Sequence, residues 1–306
     1  MIVVSTYKSP DLDGIACAIA YTEFLNINGI DAKAYYFGDL GLEVNFVKTF
    51  LSELKIEKHT GNYHSDDRFV LVDTSDPDAI EESINVENVV EIYDHRELIF
   101  TDAFHKANAK IELVGSCATL IAEEFNRKEL SPSSDSALLL YSAIISNTVN
   151  FLNTVTTERD MKMARWLKQF ISIPKDYIYK MFNHKSNITK DNLYEVLEQD
   201  FSVKEFGTKK VGIAQLEVVE LKKKFKTFKS EFKYALERLI SEDSIDYILF
   251  TGVDVFEGFN IFYTVGDNSN RFFAKVLNTK ELDKGVLSEG IVMRKQIWPL
   301  IANTIR

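Results

Sequence analysis

The sequence is poor in cysteine and has no long hydrophobic run. Cys17 and Cys117 are its only cysteines in 306 residues. Two thiols do not make a disulfide framework, so we expect a reducing compartment, the cytoplasm. No stretch reaches the ~18 consecutive apolar residues of a membrane span, and the opening MIVVST lacks the basic segment and the length of a signal peptide. We therefore expect no membrane partner.

Positive charge is also scarce. Lysine and arginine number 36 against 46 aspartates and glutamates, a formal net charge of -10. This balance disfavours non-specific binding to nucleic acid, and it means that any anion must be bound through local basic groups or metal ions. The sequence has no internal repeat and no low-complexity tract. Its 45% hydrophobic content is that of an ordinary globular protein, and its length suits one large domain or two ordinary ones.

Short apolar strands alternate with helical segments in the first half of the chain. We predict strands at 2–5 and 32–37 and within RFVLVDTSDPD and NVVEIYDHR. Helical patterns cover 14–28, 41–54, 115–125 and 136–145, and TTERDMKMARWLKQF begins with a helix-capping signal. This alternation predicts a parallel sheet with helices on both faces.

The pattern starts again after the polar stretch NHKSNITKDN, residues 183–192, which we predict to be a linker. Beyond it KKVGIAQLEVVE reads as a strand, DYILFTGVDVF and GFNIFYTVG as two adjacent strands, and FKTFKSEFKYALERLISED as one amphipathic helix. The predicted fold class is α/β with two domains. A parallel-sheet α/β domain covers 1–182, and a smaller α/β domain covers 193–306.

Acidic and histidine residues follow three of the predicted strands. Asp11 and Asp13 come after the first strand, Asp73 follows FVLV, and His95 lies within the Asp-His-Arg triplet that ends VVEIYDHR. Because ligands bind at the carboxyl ends of strands in an open parallel sheet, we expect these side chains to converge at one edge. Oxygen and imidazole ligands together suit manganese, magnesium, cobalt or zinc. The pattern therefore favours a metal or phosphate site.

Each of these residues alone has a simpler interpretation. Asp11 or Asp13 can cap the helix that follows, Asp73 can be a turn residue, and His95 can be structural. Ser116 stands just before a helix whose free N–H groups suit an anion, although an ordinary capped helix has the same pattern. The conjunction of three strand ends, rather than any one residue, carries the hypothesis.

The same residues, in this order, resemble the DHH phosphoesterase superfamily and in particular the manganese-dependent (family II) inorganic pyrophosphatases. The segments that carry the resemblance are YKSPDLDGIACAIAY, LVDTSD, YDHR, ELVGSCATLIAEEF, LLLYSAIISNTVNF with TTERD, KEFGTKKVGIAQLE and GIVMRKQIWPLI. They span nearly the whole chain. The resemblance implies a two-domain enzyme in which 1–182 is a metal-binding catalytic domain and 193–306 closes over the substrate.

The resemblance also implies a role for each matching residue. The implied metal ligands are Asp11, Asp13, Asp73 and His95, with Asp73 bridging two Mn²⁺ ions. Mg²⁺ or Co²⁺ are alternative metals. The implied substrate-binding residues are Ser116, Arg96, Lys204, Arg294 and Lys295, and the implied catalytic residues are Asp73, His95 and Arg96. The implied reaction is hydrolysis of a phosphoanhydride bond by water activated between two ions. A homodimer is implied as well.

Three positions depart from the pyrophosphatase pattern. Tyr7 stands where that family has a histidine ligand, Asn147 stands where it has an aspartate ligand, and Arg96 replaces the second histidine of Asp-His-His. Tyrosine, with an ordinary pKa near ~10, is a poor ligand, asparagine brings no charge, and arginine cannot bind metal. We therefore predict weakened metal affinity, with one of the two sites empty when no substrate is bound.

These departures leave three hypotheses. An Asp-His-Arg triplet and a missing first histidine are similar to the pattern of prune-type and exopolyphosphatase-like relatives. The first hypothesis is a metal-dependent hydrolase of pyrophosphate. The second is a hydrolase of the same architecture that acts on short-chain polyphosphate or a nucleotide phosphoester. The third is a degenerate, non-catalytic paralogue that binds a phosphate ligand.

Overall fold

The structure, a computed structural model, describes residues 1–59, 63–96, 101–185 and 188–305. The chain forms two compact units, Met1–Met181 and Phe182–Arg306. Each unit contains one sheet and several helices, which confirms the predicted α/β class. Residues 183–185 of the predicted linker are helical, and residues 186 and 187 lie outside the described residues. The predicted domain limits therefore stay a prediction.

The sheet of the first unit has six strands, and every neighbouring pair is parallel, as the alternating pattern predicts. In chain order the strands are β1 (Ile2–Ser5), β2 (Ala32–Tyr36), β3 (Glu57–Lys58), β4 (Arg68–Val72), β5 (Val89–Asp94) and β6 (Asn108–Ile111). Their spatial order is β3-β2-β1-β4-β5-β6, so the order reverses between β1 and β4. In open α/β sheets this reversal opens a crevice beyond the strand ends, and ligands bind there.

In the described part of the first unit, five α-helices accompany this sheet, and a sixth begins in this unit and ends in the second. They are α1 (Leu12–Ile27), α2 (Leu42–Lys48), α3 (Cys117–Arg127), α4 (Ser134–Asn147), α5 (Glu158–Leu167) and α6 (Tyr177–Lys185). The helix α1 begins two residues before its predicted start because the side chain of Asp11 accepts hydrogen bonds from the backbone N–H groups of Asp13 and Gly14. The helix α2 ends well before residue 54, at a turn where the hydroxyl of Thr49 donates to the carbonyl of Phe46.

The core of the first unit lies on both sides of the strands. On one side Val3, Phe69, Leu71 and Ile92 pack together in a buried cluster. The helices α1, α3 and α4 contribute further buried side chains, and α1 is almost entirely buried along its first three turns. Burial on both faces explains why the central strands read as continuous apolar runs rather than as alternating patterns.

The second unit has a five-stranded mixed sheet in the order β11-β10-β9-β8-β7, in which only the β8–β9 pair is parallel. Its strands are β7 (Phe201–Phe206), β8 (Lys209–Val218), β9 (Tyr247–Asp254), β10 (Phe259–Tyr263) and β11 (Val286–Leu287). The predicted adjacency of β9 and β10 is confirmed. The mostly antiparallel pairing distinguishes this sheet from that of the first unit.

Five helices flank the second sheet. They are α7 (Leu193–Gln199), α8 (Leu221–Thr227), α9 (Lys229–Asp243), α10 (Asp267–Val276) and α11 (Arg294–Ile305). One buried cluster joins α7, α8 and α9 to the sheet, and a second joins α10 and α11 to it. The single helix predicted for FKTFKSEFKYALERLISED is wrong, because Phe228 leaves the helical conformation (φ -109°, ψ 27°) and divides it into α8 and α9.

No helix in the described part of the chain combines the length and the apolar character needed to cross a membrane.

Candidate metal centre

Three side chains with metal-binding atoms meet at the carboxyl ends of the central strands of the first unit. The ligand atoms of Asp13, Asp73 and His95 all lie within 4.8 Å of one another. Asp13 belongs to the first turn of α1, which follows β1, while Asp73 directly follows β4 and His95 directly follows β5. The convergence of these strand ends follows from the parallel sheet. Two carboxylates and an imidazole form a donor set that suits Mn²⁺.

Asp73 lies at the centre of this cluster in a constrained backbone conformation. Its φ is 59°, in the left-handed region that aspartate enters more readily than most residues, and its N–H donates to the carbonyl of Tyr93 over 2.8 Å. The side chain is buried, and its Oδ1 has no hydrogen-bond donor among the described residues. A buried carboxylate oxygen without a donor is unfavourable unless a cation neutralises it.

The imidazole of His95 is oriented by the backbone. Its Nδ1 lies 3.0 Å from the carbonyl oxygen of Val114, and because a carbonyl only accepts, Nδ1 carries the proton. The other ring nitrogen, Nε2, faces the carboxylates, 3.3 Å from Oδ1 of Asp73 and 3.8 Å from Oδ2 of Asp13. A carbonyl that fixes the tautomer in this way is typical of a metal-binding histidine.

The carboxylate of Asp13 is held by the N-terminus of α3. Its Oδ1 accepts hydrogen bonds from the hydroxyl of Ser116 and the N–H of Ala118, both at 2.9 Å. Its Oδ2 accepts from the N–H of Cys117 at 2.9 Å and from the side-chain amide of Asn147 at 2.6 Å. These donors fix the orientation of the carboxylate at the N-terminus of α3.

Two predicted site residues thus act on Asp13 in the structure. Ser116 caps α3, is fully buried and donates its hydroxyl proton to Asp13, so the anion at this helix terminus is a side chain of the protein itself. Asn147 presents its NH₂ group to Asp13. Substrate binding by Ser116 and metal binding by Asn147 stay predictions. The structure shows in addition that both side chains orient the carboxylate of Asp13, which the sequence did not suggest.

Asp160 supports the loop in front of α3, a role that sequence reasoning missed. Its Oδ2 accepts from the N–H of Gly115 at 2.9 Å, and its Oδ1 accepts from the hydroxyl of Thr119 at 2.5 Å. It also forms a capping box with Thr157 at the start of α5, as the TTERD pattern predicts. A Cβ atom on Gly115 would lie 2.9 Å from Oδ2 of Asp160, so glycine is required there.

The electrostatics of the cluster show the crowding of negative charge. Burial, followed by the charge of Asp13, raises the pKa of Asp73 to about 8. Burial by itself would lower the pKa of His95, but the close approach of Nε2 to Asp73 and the charges of Asp73 and Asp13 outweigh this and raise it to about 10. Neighbouring carboxylates thus add to the effect of burial on Asp73 and oppose it on His95, and a bound cation would offset their negative charge.

Tyr7, Asp11 and Arg96 form a second group of side chains close enough to Asp73 to interact with its charge. The guanidinium carbon of Arg96 lies 5.2 Å from the centre of the Tyr7 ring, and its Nε lies 3.9 Å from Oδ1 of Asp94. The hydroxyl oxygen of Tyr7 accepts the N–H of Asp11 at 3.1 Å. Burial, then the charges of Asp11 and Asp73, raises the pKa of Tyr7, so the phenol keeps its proton at neutral pH. Asp11 caps α1, as one of the two interpretations of this residue predicts, and its role as a metal ligand stays a prediction.

The predicted phosphate-binding residues belong to the second unit. Arg294 donates to the backbone carbonyl of Asp200 and forms an ion pair with its carboxylate, both at 2.6 Å. The Nζ of Lys204 lies 5.2 Å from the ring centre of Trp298, and Lys295 is exposed. A guanidinium already paired with a carboxylate can still bind phosphate through its remaining N–H groups. No observation on this unit tests the predicted role.

Comparisons with known proteins agree with this geometry. The family model of the DHH family, N-terminal domain, matches residues 1–144, and that of the DHHA2 domain matches 179–304. The manganese-dependent inorganic pyrophosphatase of Methanocaldococcus jannaschii is 30% identical, over 97% of this chain and 96% of that protein. A probable manganese-dependent inorganic pyrophosphatase of Clostridium acetobutylicum is 25% identical, over 100% of this chain and 98% of that protein.

A solved structure extends the likeness to the fold. The crystal structure of a putative family II inorganic pyrophosphatase of Methanococcus jannaschii superimposes with a TM-score of 0.70 at 28% identity, covering 100% of this chain and 99% of that one. An exopolyphosphatase-related protein of Bacteroides fragilis, at 15% identity and a TM-score of 0.51 over 99% and 91% of the two chains, shares the fold alone. The resemblance seen in the motifs is confirmed. The chain belongs to the family of manganese-dependent inorganic pyrophosphatases, with a DHH domain followed by a DHHA2 domain.

Proposed function

We propose that this protein is a manganese-dependent hydrolase that cleaves inorganic pyrophosphate into two phosphates. The observation that carries the proposal is the cluster of Asp13, Asp73 and His95, in which a buried carboxylate oxygen lacks a hydrogen-bond donor among the described residues. The relatives named manganese-dependent inorganic pyrophosphatases over the full chain length support it.

The residues present fit a divalent ion. Asp13 and Asp73 offer oxygens, and His95 offers its Nε2, which faces those oxygens. When bound, such an ion supplies Lewis-acid stabilisation of phosphate charge and lowers the pKa of water. Manganese is the metal we propose, with magnesium and cobalt as substitutes to be compared.

The chain's own groups have separate tasks in this reaction. The α3 N-terminus holds Asp13, and the carbonyl of Val114 holds His95, so that the ligands are preorganised. Arg96 offers a permanent positive charge to the phosphate oxygens. In the reaction a water oxygen forms a bond to one phosphorus atom while the bridging P–O bond breaks. The bridging oxygen leaves with the second phosphate, and the proton lost by water is taken up by the products or solvent.

The roles of the remaining predicted residues belong to the same proposal. Lys204, Arg294 and Lys295 are proposed to bind phosphate oxygens, and Asn147 is proposed to assist metal binding by orienting Asp13. The role of Asp11 as a metal ligand, which the family resemblance implies, would require a second ion. The cytoplasmic location and the homodimer stay predictions from the sequence.

A second candidate function follows from one residue. Arg96 stands where the pyrophosphatase pattern has a histidine, and its planar guanidinium suits longer or more heavily charged phosphate chains. Short-chain polyphosphate or a nucleotide phosphoester is therefore the alternative substrate class.

The test is phosphate release by the purified protein from pyrophosphate, tripolyphosphate, longer polyphosphate and a model phosphodiester. Each substrate is assayed with Mn²⁺, Mg²⁺, Co²⁺ and no metal, and Asp73→Ala serves as the blank. The exposed Asp66, changed to alanine, is the matched control. Fast manganese-dependent cleavage of pyrophosphate, lost in the blank alone, is the expected result. Preference for the longer substrates would support the second candidate, and no turnover above the blank would mean a phosphate-binding, non-catalytic paralogue.

A further inference from the structure

We propose that this site holds a single tightly bound divalent ion, between Asp13, Asp73 and His95, and that the guanidinium of Arg96, stacked on Tyr7, takes the place of a second ion and binds the substrate phosphate directly. The inference rests on the proposed function for the identity of its ligand, a pyrophosphate or a terminal phosphoanhydride group.

The ligand atoms around Asp73 are distributed unequally. On the α3 side, Asp13 and His95 point their ligand atoms at Asp73 within 4.8 Å. Among the residues that the structure describes, this is the only group of three or more histidine, cysteine or carboxylate side chains that meets that spacing. Asp11 does not belong to this group and uses Oδ1 to accept N–H groups of α1 at 2.8 and 3.2 Å. Among the described residues, the side chains around Asp73 therefore supply the ligands of one ion site.

The phenol of Tyr7 does not complete a second ion site. Its oxygen accepts the N–H of Asp11 at 3.1 Å. A phenol, with an ordinary pKa near ~10, is a weak ligand for divalent ions. Its ring instead forms the surface on which the guanidinium of Arg96 lies. The aromatic ring thus contributes a cation-binding face where an imidazole would contribute a metal ligand.

The charge of Arg96 disfavours a second ion. Its guanidinium lies near the carboxylates of Asp94, Asp73 and Asp11 and already offsets part of their negative charge. A second divalent ion would have to enter beside the permanent charge of Arg96 and would be repelled by it. Since arginine cannot lose its proton near neutral pH, this repulsion cannot be relieved by titration.

Arg96 is also placed to meet a ligand. Its side chain is 42% exposed, its guanidinium carbon lies 5.2 Å from the centre of the Tyr7 ring, and its Nε lies 3.9 Å from Oδ1 of Asp94. A planar fork with several N–H donors can bind two oxygens of one phosphate group through directional hydrogen bonds. Arg96 therefore supplies both the missing charge and a directional contact.

The first test counts ions and needs no activity measurement. Mn²⁺ is titrated into the metal-free full-length protein, and free Mn²⁺ is followed by electron paramagnetic resonance. We expect one tight ion per chain, and two in the variant that carries Tyr7→His together with Arg96→His. Two tight ions in the unaltered protein would overturn the proposal. If the double variant fails to fold, the count for the unaltered protein still decides.

The second test measures the phosphate contact with imidodiphosphate, a non-hydrolysable probe, on the manganese-loaded protein. We expect Arg96→Met to weaken binding at least about tenfold without changing the ion count, and Arg96→Lys to restore part of the affinity. The exposed Arg165 on α5, changed to methionine, is the matched control. Tyr7→Leu should weaken imidodiphosphate binding more than Tyr7→Phe does, because phenylalanine keeps the aromatic ring next to Arg96. Equal affinity of Arg96→Met and the unaltered protein would contradict the direct contact.

These outcomes are distinguishable from failure of the proposed function. A protein that binds one ion and requires Arg96 for imidodiphosphate, yet releases no phosphate from pyrophosphate, would refute the proposed activity and leave the inference intact. A protein that hydrolyses pyrophosphate with two tightly bound ions would support the proposed activity and refute the inference of a single ion.

Discussion

The two sides of Asp73 differ in how their polar groups are used. On the α3 side, the carboxylate of Asp13 accepts hydrogen bonds from Ser116, Cys117, Ala118 and Asn147, at distances between 2.6 and 2.9 Å. On the other side, Arg96 rests on an aromatic ring and keeps 42% of its side chain exposed. The buried side is built to hold a cation rigidly, whereas the exposed side already carries one. Sites of this kind can change metal content on one side without disturbing the other.

The largest effect is expected from removing the residue that both sides share. Asp73→Asn should lower phosphate release by roughly 10³-fold and abolish tight Mn²⁺ binding, because the buried ligand oxygen is lost. We expect the variant to fold, because asparagine also tolerates the positive φ of residue 73. The substitution also removes a negative charge that lies close to other carboxylates. Kinetics, manganese titration and the thermal midpoint check these expectations, with Asp66→Asn as the exposed control. Retained tight manganese binding would show that Asp73 is not a ligand.

A smaller effect should separate positioning from helix capping. Ser116 and Ser133 are both N-cap residues, but only Ser116 touches Asp13. Changing either one to alanine should destabilise the protein by about 1 kcal/mol. Only Ser116→Ala should also weaken Mn²⁺ binding, by about 10–100-fold, as expected when a group that orients a ligand is removed. Equal manganese affinities in the two variants would show that the α3 terminus does not orient the site.

The rigidity of the buried side can be tested at its loop. Gly115→Ala forces a Cβ to within 2.6 Å of Cγ2 of Thr148 and 2.9 Å of Oδ2 of Asp160, whereas a Cβ on Gly41 meets nothing within 4 Å. We expect Gly115→Ala to reduce the free energy of unfolding by about 1–3 kcal/mol and Gly41→Ala to change it by less than about 0.5 kcal/mol. Urea unfolding measures both. An unchanged free energy of unfolding in Gly115→Ala would mean that the loop before α3 can shift to make room for the extra methyl group.

The smallest effect is expected at Glu91, a partly buried carboxyl group on β5 of the first sheet. Burial raises the pKa of Glu91 from its usual 4.5, although the hydroxyls of Tyr21 and Tyr93 donate to it. Because the folded-state pKa is raised, the stability that Glu91 contributes is complete below pH 4.5 and is lost as pH rises through the raised value. Glu91→Gln should therefore gain stability relative to the unaltered protein as pH increases above 4.5. The thermal midpoints of both variants are measured between pH 4 and 8, with Glu57→Gln at an exposed position as the control. The same change of midpoint with pH in the two variants would contradict this expectation.

The metal cluster could be predicted from the sequence because its signal is local. Each of Asp13, Asp73 and His95 follows closely on a short apolar strand, and the parallel arrangement of those strands brings their ends together. The starts of β1 and α5 are also correctly predicted, because a hydrophobic run or a capping box involves only a few consecutive residues of the sequence. Fold class follows from the alternation of such segments.

Other features depend on pairings that no local pattern contains. The contact of Arg96 with Tyr7 joins residues 89 positions apart in the chain, and the hydrogen bonds of Asp13 reach a helix that begins at Cys117. The edge strand β7 (Phe201–Phe206) was missed because its middle residues are exposed and it carries charged side chains. Likewise, the ion pair of Arg294 with Asp200 depends on the packing of α11 rather than on its sequence.

The hydrogen bonds between Asp13 and the start of α3 have a consequence for assembly. Residues about a hundred positions apart must be brought together before the carboxylate is fixed, and long loops close late and slowly during folding. A partly folded chain can present Asp73 and His95 but not an oriented Asp13. Tight ion uptake therefore reports that the first unit has finished folding, and the ion in turn stabilises only chains that have reached that stage.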